Sequence, residues 1–328
     1  MTTKRILVTG AAGYIGSVLV RRLLTRGHRV LGIDRLLFGD HGVRDLAGDE
    51  GFELVVADLR APEAYAGLLG EVSGIVHLAA IVGDPACKRE PELARETNLD
   101  ASTSLLAAAA AAGVERFVFG STCSNYGRSE EVEYCSEETP LNPLSLYART
   151  KVEFEERLLA AHSPLFATTC LRFATAYGPS PRMRFDLTVN EFCREVYLDH
   201  TLEIFGQQFW RPYCHTTDIA RACVKVLTAE PERVGGRVFN VGNTKENYRK
   251  QDLADLLLEL RPGADIRFVH KEEDPRDYKV SFDRIARELG FVNTMTVPEG
   301  IREIFRLFDE GAFPSPDAAH YSNTGDPA

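Results

Sequence analysis

Along the first half of the chain, short apolar runs alternate with helical stripes. Arg5–Thr9 is a compact apolar run, and Ile15–Arg26 carries apolar residues at 15, 19, 23 and 24, one face of a helix closed by Gly27. Further strands are predicted at Arg29–Ile33, Glu53–Ala57, Gly74–Leu78, Arg116–Gly120 and Phe166–Arg172. A long helix is predicted from about Ser145 to His162, and an alanine-rich one over Leu105–Val114. Continuous apolar runs separated by helices predict a parallel sheet covered on both faces. The fold class is therefore α/β, a doubly wound parallel sheet.

The texture changes after Tyr177, where Gly178-Pro179-Ser180-Pro181 breaks the alternation and a basic-aromatic stretch, Arg182–Phe185, follows. Arg237–Val241 reads as one more strand returning to the sheet, and the rest as short helices with loops. These patterns predict a dinucleotide-binding domain over residues 1–177, with about 213–243 returning to it, and a smaller C-terminal α+β substrate domain over 178–313. The Pro/Ser/Asp/Ala-rich segment 314–328 is expected to be a mobile tail.

Thr9-Gly10-Ala11-Ala12-Gly13-Tyr14-Ile15-Gly16 lies between the first strand and the first helix. Glycines at 10, 13 and 16 permit a tight turn and a close approach of backbone N–H groups to a pyrophosphate, and the helix N-terminus adds partial positive charge. A strand before, a helix after and a place near the N-terminus make this a Rossmann fingerprint. The second strand ends at Asp34, where a carboxylate accepts from both adenosine ribose hydroxyls and repels a 2′-phosphate, which favours NAD over NADP. Arg35 beside it is the one neighbour suited to such a phosphate. Asp58, at the end of the third strand, either accepts from the adenine amino group or caps the following segment.

Composition narrows the partners. The formal net charge is −10, which gives no electrostatic reason to expect nucleic acid or an anionic membrane. No apolar stretch is long enough to span a bilayer, and the N-terminal apolar run stops at Gly10. The seven cysteines (87, 123, 135, 170, 193, 214 and 223) form no CxxC pair and no zinc-spaced cluster with histidine. Free thiols, a cytoplasmic location and no metal are the expectation.

Tyr147-Ala148-Arg149-Thr150-Lys151 puts a phenol and an ammonium on one helical face. A free phenol, with a pKa of about 10, is a poor base at neutral pH, and a neighbouring cation stabilises the phenolate. Tyr147 would then take a proton from a substrate hydroxyl as hydrogen leaves the adjoining carbon.

The glycine loop, His77-Leu78-Ala79-Ala80, Asn98, Ser121-Thr122 and YxxxK together resemble, in order and spacing, the extended short-chain dehydrogenases/reductases. More narrowly they resemble the NAD-dependent epimerase/dehydratase group acting on nucleotide sugars, over about Lys4 to Phe308. The resemblance implies that Thr122 bonds the reacting hydroxyl, Tyr147 is the base and Lys151 its activator. It implies a cofactor site lined by Gly10, Gly13, Tyr14, Ile15, Gly16, Asp34, Asp58, Leu59, Leu78, Ala79, Ala80, Asn98, Ser121, Tyr147 and Lys151. It places Arg211, in Arg211-Pro212-Tyr213-Cys214-His215, on a diphosphate, Arg276, in Asp274-Pro275-Arg276-Asp277, near the nucleotide, and Asn190 on the sugar-nucleotide phosphate. Forked guanidinium groups suit phosphate and supply positive charge that the chain as a whole lacks. A homodimer, paired through the alanine-rich helix and the Tyr-Lys helix, is also implied.

Departures from the group's pattern narrow the reaction. Dehydratases typically carry an Asp-Glu pair directly after the catalytic Thr, whereas here Thr122 is followed by Cys123-Ser124-Asn125-Tyr126-Gly127. An unassisted hydroxyl is too weak a base to replace a carboxylate. Epimerisation at C4, in which hydrogen is withdrawn to give a 4-keto sugar and then returned to the other face, needs only Thr, Tyr and the cofactor. A 4-ketoreductase or dehydrogenase would use the same residues. Cys123 is either an acid supporting an atypical elimination or a small packing residue, and Cys87 is more readily read as packing. Thr175 stands where the group usually has Asn, in Phe173-Ala174-Thr175-Ala176-Tyr177-Gly178, and is a candidate sugar contact. A non-catalytic dinucleotide sensor is the reading from another class, and the intact Tyr147 and Lys151 argue against it.

Overall fold

Strands buried on both faces pair side by side, and the computed structural model, which describes residues 5–128, 132–269 and 276–323, has this arrangement at its centre. Strands β1 (Arg5–Thr9), β2 (Val30–Asp34), β3 (Phe52–Val56), β4 (Val72–His77), β5 (Arg116–Thr122) and β6 (Ala167–Phe173) follow the predicted runs to within two residues at either end. With β10 (Arg237–Val241) they form one seven-stranded sheet in the order β10-β6-β5-β4-β1-β2-β3. Every pairing is parallel. The chain reverses its direction of travel across the sheet between β3 and β4, and the crevice outside the strand ends at that switch is where such sheets bind ligands.

Helix α1 (Tyr14–Thr25) covers one face, and α4 (Ser102–Ala111) and α5 (Leu146–Ala160) cover the other. Two apolar cores result. One contains Val8, Leu19, Leu23, Val118 and Phe239, and the other Leu7, Ile75, Leu105, Phe119 and Phe154. Short helices α2 (Asp84–Arg89) and α3 (Pro91–Arg95) lead from β4 towards α4.

Beyond β6 the chain builds what periodicity did not resolve. Short strands β7 (Thr175–Tyr177), β9 (Trp210–His215) and β11 (Asn247–Arg249) form a three-stranded sheet, and β8 (Leu202–Phe205) pairs with β12 (Ile266–Val269). Helices α6 (Thr188–Tyr197), α9 (Lys250–Leu260) and α11 (Val297–Asp309) bury a third core with Phe185, Phe192, Leu257 and Ile304. All but the six-residue β9 have only three or four residues, too few to leave a period-two signature, so most of this region reads as loops in the sequence. Helix α7 (Thr216–Thr228), ahead of β10, puts Ile219, Ala220 and Cys223 into the same core as the α1 residues. The short α8 (Pro231–Val234) leads into β10, and α10 (Asp283–Leu289) lies beside it.

Of the expected tail, residues 320–323 pack on the protein, with the Tyr321 ring 5.4 Å from Phe185 and its carbonyl accepting from Phe185 N at 2.8 Å. Residues 324–328 lie outside the described part. No helix among the described residues is long and apolar enough to cross a membrane.

Candidate active site

The turn from β1 to α1 is built by close backbone approach. Gly10 has φ +71°, and a Cβ on it would lie 2.9 Å from Ala79 N. A Cβ on Gly16 would lie 1.9 Å from the Gly10 carbonyl oxygen, so only glycine lets the helix begin this near the strand. Thr9 Oγ1 and His77 Nδ1 hydrogen-bond at 2.7 Å, and Leu78 N and Ala79 N donate to the same Thr9 oxygen at 3.2 and 3.3 Å. The ends of β1 and β4 are thus locked together at the cleft. Burial pushes the His77 imidazole down to about 3, so it bonds as a neutral ring, with Ser102 Oγ on its other nitrogen at 2.9 Å.

Along this crevice runs a cavity of about 370 Å³. Gly10, Gly13, Tyr14, Ile15, Gly16, Asp34, Asp58, Leu59, Leu78, Ala79, Ala80, Ser121, Thr122, Tyr147, Lys151, Thr175 and Arg276 all line it. Asp34 accepts from Leu36 N (2.8 Å) and Ala12 N (3.0 Å), which fixes its carboxylate at the strand end. Burial raises its pKa, against the pull of those two bonds. Asp58 is held by Arg60, whose hydrogen bonds bring it down to about 2. Arg35 turns towards Asp58, 3.4 Å away, rather than standing clear to receive a phosphate.

At the other end, Ser145 Oγ caps α5 by accepting from Ala148 N at 3.2 Å, and Tyr147 and Lys151 project on one face. Lys151 Nζ donates to the Gly120 carbonyl at 2.8 Å and lies 4.5 Å from the centre of the Phe119 ring. Burial lowers its pKa to about 8, and burial raises that of Tyr147. Burial therefore holds the phenol protonated, and a cation brought alongside is what would release its proton.

Three expectations are corrected by the side-chain environments, and of the two readings of Cys123 its surroundings favour packing. Cys123 faces away from the cleft, its thiol buried against the Arg172 carbonyl at 3.3 Å and its pKa raised by burial; it is a packing residue. Asn190 is fully buried, its Oδ1 accepting from Gly178 N (2.9 Å) and its Nδ2 donating to Tyr14 Oη (2.9 Å) and the Arg184 carbonyl (2.8 Å). With its bonds spent joining α1 to the substrate-side loop, it has none for a phosphate. Asn98 lies behind the cleft and grips Ile81 through both N (2.7 Å) and O (2.9 Å), shaping the loop after β4. Arg211 does not line the cleft; its guanidinium stacks 5.3 Å from the Tyr278 ring, and Tyr278 is the residue that does. Cys87 is buried as expected, bonded to the Ile81 carbonyl at 3.4 Å.

Sequence reasoning missed Asp84, Arg182, Arg184, Tyr278 and Asn323 as cleft residues. Asp84, the first residue of α2, stands 3.5 Å from Arg276 and acts electrostatically on Tyr147. It also missed the buried Glu155, four residues after Lys151, which accepts from Arg172 Nη2 (2.8 Å), Asn125 Nδ2 (2.6 Å) and Ser121 Oγ. The YxxxKxxxE spacing was the available signal for Glu155; the loop residues had none.

A doubly wound sheet, a glycine cradle at its switch point and a Tyr-Lys pair in one crevice define a dinucleotide-dependent enzyme. The chain belongs to the NAD dependent epimerase/dehydratase family, whose sequence model matches residues 6–242. A UDP-glucose 4-epimerase of Mycolicibacterium smegmatis is 34% identical, covering 93% of this chain and 98% of its own. A probable UDP-glucuronate 4-epimerase of Rhizobium meliloti is 31% identical over 69% of each. Among solved structures, the Thermotoga maritima UDP-glucose 4-epimerase with UDP-glucose superposes with a TM-score of 0.84 at 26% identity, covering 94% of this chain and 99% of that one. The Bacillus cereus UDP-glucuronic acid 4-epimerase, in complex with UDP-glucuronic acid and NAD, gives 0.84 at 25%, with 93% and 99% covered. The glycine cradle and the fixed Asp34 carboxylate fit NAD, the cofactor of the family.

Proposed function

We propose that this enzyme is an NAD-dependent UDP-hexose 4-epimerase. The observation that carries the reading is that Thr122, Tyr147 and Lys151 share one cleft with the glycine cradle, while the residue after Thr122 is a buried thiol facing away from it. Redox at C4 can be catalysed there; elimination has no acid-base pair beside Thr122. The 4-epimerases among the relatives support the same assignment.

Gly10, Gly13, Gly16 and Asp34 would hold the NAD, with Ser121 and Lys151 at its nicotinamide end. Bound NAD supplies the oxidant that accepts hydrogen from C4 and gives it back. Tyr147 takes the C4 hydroxyl proton as a phenolate and returns it when the opposite alcohol forms. Lys151, held by the Gly120 carbonyl, supports that phenolate, and Thr122 orients the hydroxyl. Arg276 would serve the diphosphate, and Arg211 would steady Tyr278 beneath the substrate. The same reading makes the enzyme a cytoplasmic homodimer, paired through α4 and α5. The outward residues Ala107, Ala110 and Ala111 are small enough for close helix contact. A dimer mass in light scattering is the expected result.

The direct test is to incubate purified enzyme with UDP-glucose, and separately with UDP-glucuronate, without added NAD. Conversion of at least one to its C4 epimer is expected; no conversion of either, or a dehydrated or decarboxylated product, overturns the assignment.

A further inference from the structure

The C-terminal segment crosses the cofactor cleft beside Asp34. His320 stacks on His41 with ring centres 4.8 Å apart, and Tyr321 packs on Phe185. Arg182 Nη2 reaches the Ser322 carbonyl at 3.4 Å, while its guanidinium lies 4.5 Å from the Phe38 ring centre. Asn323 N donates to Asp186 Oδ2 at 3.2 Å, which pins the end of the strap to the substrate-side loop. The segment is thus tied both to the loop after β2 and to the stretch 182–186.

Asn323 occupies a particular position. It lines the main cleft together with Asp34, Arg35 and Phe38, and it lines a small adjoining cavity together with Ala80, Ile81 and Val82. It therefore stands between the lips that follow β2 and β4, over the part of the crevice that Asp34 marks as the adenosine side. Asn323 is 7% exposed and Arg182 3%. Asn323 Oδ1 and Arg182 Nε are nevertheless buried without a hydrogen-bond partner among the described residues. A buried amide oxygen and a buried guanidinium N–H left unbonded are costly unless a ligand bonds them. A dinucleotide offers the matching groups: ribose hydroxyls and an adenine amino group to donate, and phosphate oxygens to accept.

We infer that the strap 317–323 is a wall of the cofactor site, with Asn323 and Arg182 contacting the adenosine half of the dinucleotide, and that it slows cofactor release. This rests on the reading that NAD occupies the cleft, and it goes beyond the reaction. An epimerase that restores its own cofactor in each cycle has no need to let it go, and a strap serves retention.

The experiment compares the full chain with a chain ending at Pro316 and with Asn323→Ala in the full chain. Each is purified, dialysed and denatured to count released NAD, and exchange of bound NAD for labelled NAD is timed. The expected result is near-stoichiometric NAD in the full chain and exchange faster by about tenfold or more in both variants, since lost contacts appear mainly in the off-rate. Calorimetric titration of the variants to one NAD per chain checks that the site is still folded. If the shortened chain fails to fold, Asn323→Ala decides alone. Exchange at the full-chain rate in Asn323→Ala overturns the inference. A full chain that binds no NAD, purified or added, overturns the cofactor reading itself.

Discussion

Tyr147 is the residue on which the chemistry turns, because it lines the cleft and carries a removable proton four residues from a buried cation. Tyr147→Phe is expected to lower kcat by about a hundred- to ten-thousandfold while the protein still releases NAD on denaturation. Cys123→Ala, at a thiol that faces away from the substrate, is expected to keep kcat within about twofold, since small-for-small exchange in a core perturbs packing only. Steady-state kinetics on the two variants checks both. Asp84, paired with Arg276 at 3.5 Å, adds negative charge on the Tyr147 side of the cleft, and a uronate carboxylate placed against it would meet a like charge. Asp84→Asn is expected to raise the UDP-glucuronate to UDP-glucose ratio of kcat/KM by about three- to tenfold; an unchanged ratio would remove Asp84 from substrate choice. The glycines, Asp34, Tyr147 and Lys151 were legible in the sequence because adjacent positions on one turn or helix fix their relation. Asp84, Tyr278 and Asn323 were not, because loops distant in sequence bring them to the cleft. Asn190 misled because position within a pattern says nothing of where a side chain's hydrogen bonds go.

Among the elements, the β1–α1 turn has little freedom. Gly16→Ala would drive a methyl group to 1.9 Å from the Gly10 carbonyl oxygen, so strand and helix must separate. The expected cost is roughly 1–3 kcal/mol of stability, with loss of retained NAD, read by thermal melting and by the dinucleotide count. Helix α5 gains its precision from behind. Glu155 and Arg172 form a buried ion pair that also collects Asn125 and, through Arg172 Nη1, the Tyr126 hydroxyl at 3.1 Å. This network ties α5 to β6 and to the turn after Thr122. The seven strands of the main sheet were readable as apolar runs, because most of their positions are buried, the edge strand β3 being only half-buried. The three- and four-residue strands of the substrate side, β7, β8, β11 and β12, were not, since pairing rather than composition defines them.

For the molecule as a whole, burying Lys151 is a cost borne for the site. Unfolded, its ammonium keeps its proton up to the ordinary 10.5, whereas folded without cofactor it gives it up near 8. Between these values the unfolded chain holds the extra proton, so rising pH favours the folded form, and the penalty is full below about 8. NAD-stripped enzyme should therefore gain stability from pH 8 towards 10 relative to Lys151→Met, which lacks the group; parallel melting curves would contradict this. The two halves of the molecule meet over the cleft through Tyr14, whose hydroxyl donates to the Gly178 carbonyl at 2.6 Å, and through the strap that ends at Asn323. That closed arrangement suits a cofactor that is reduced and reoxidised without leaving. The decisive measurement is therefore to supply UDP-glucose deuterated at C4, with no added NAD, and to locate the label in the epimer. Deuterium retained at C4 of the product is the predicted result; deuterium lost from C4, or appearing in free NADH, would contradict it.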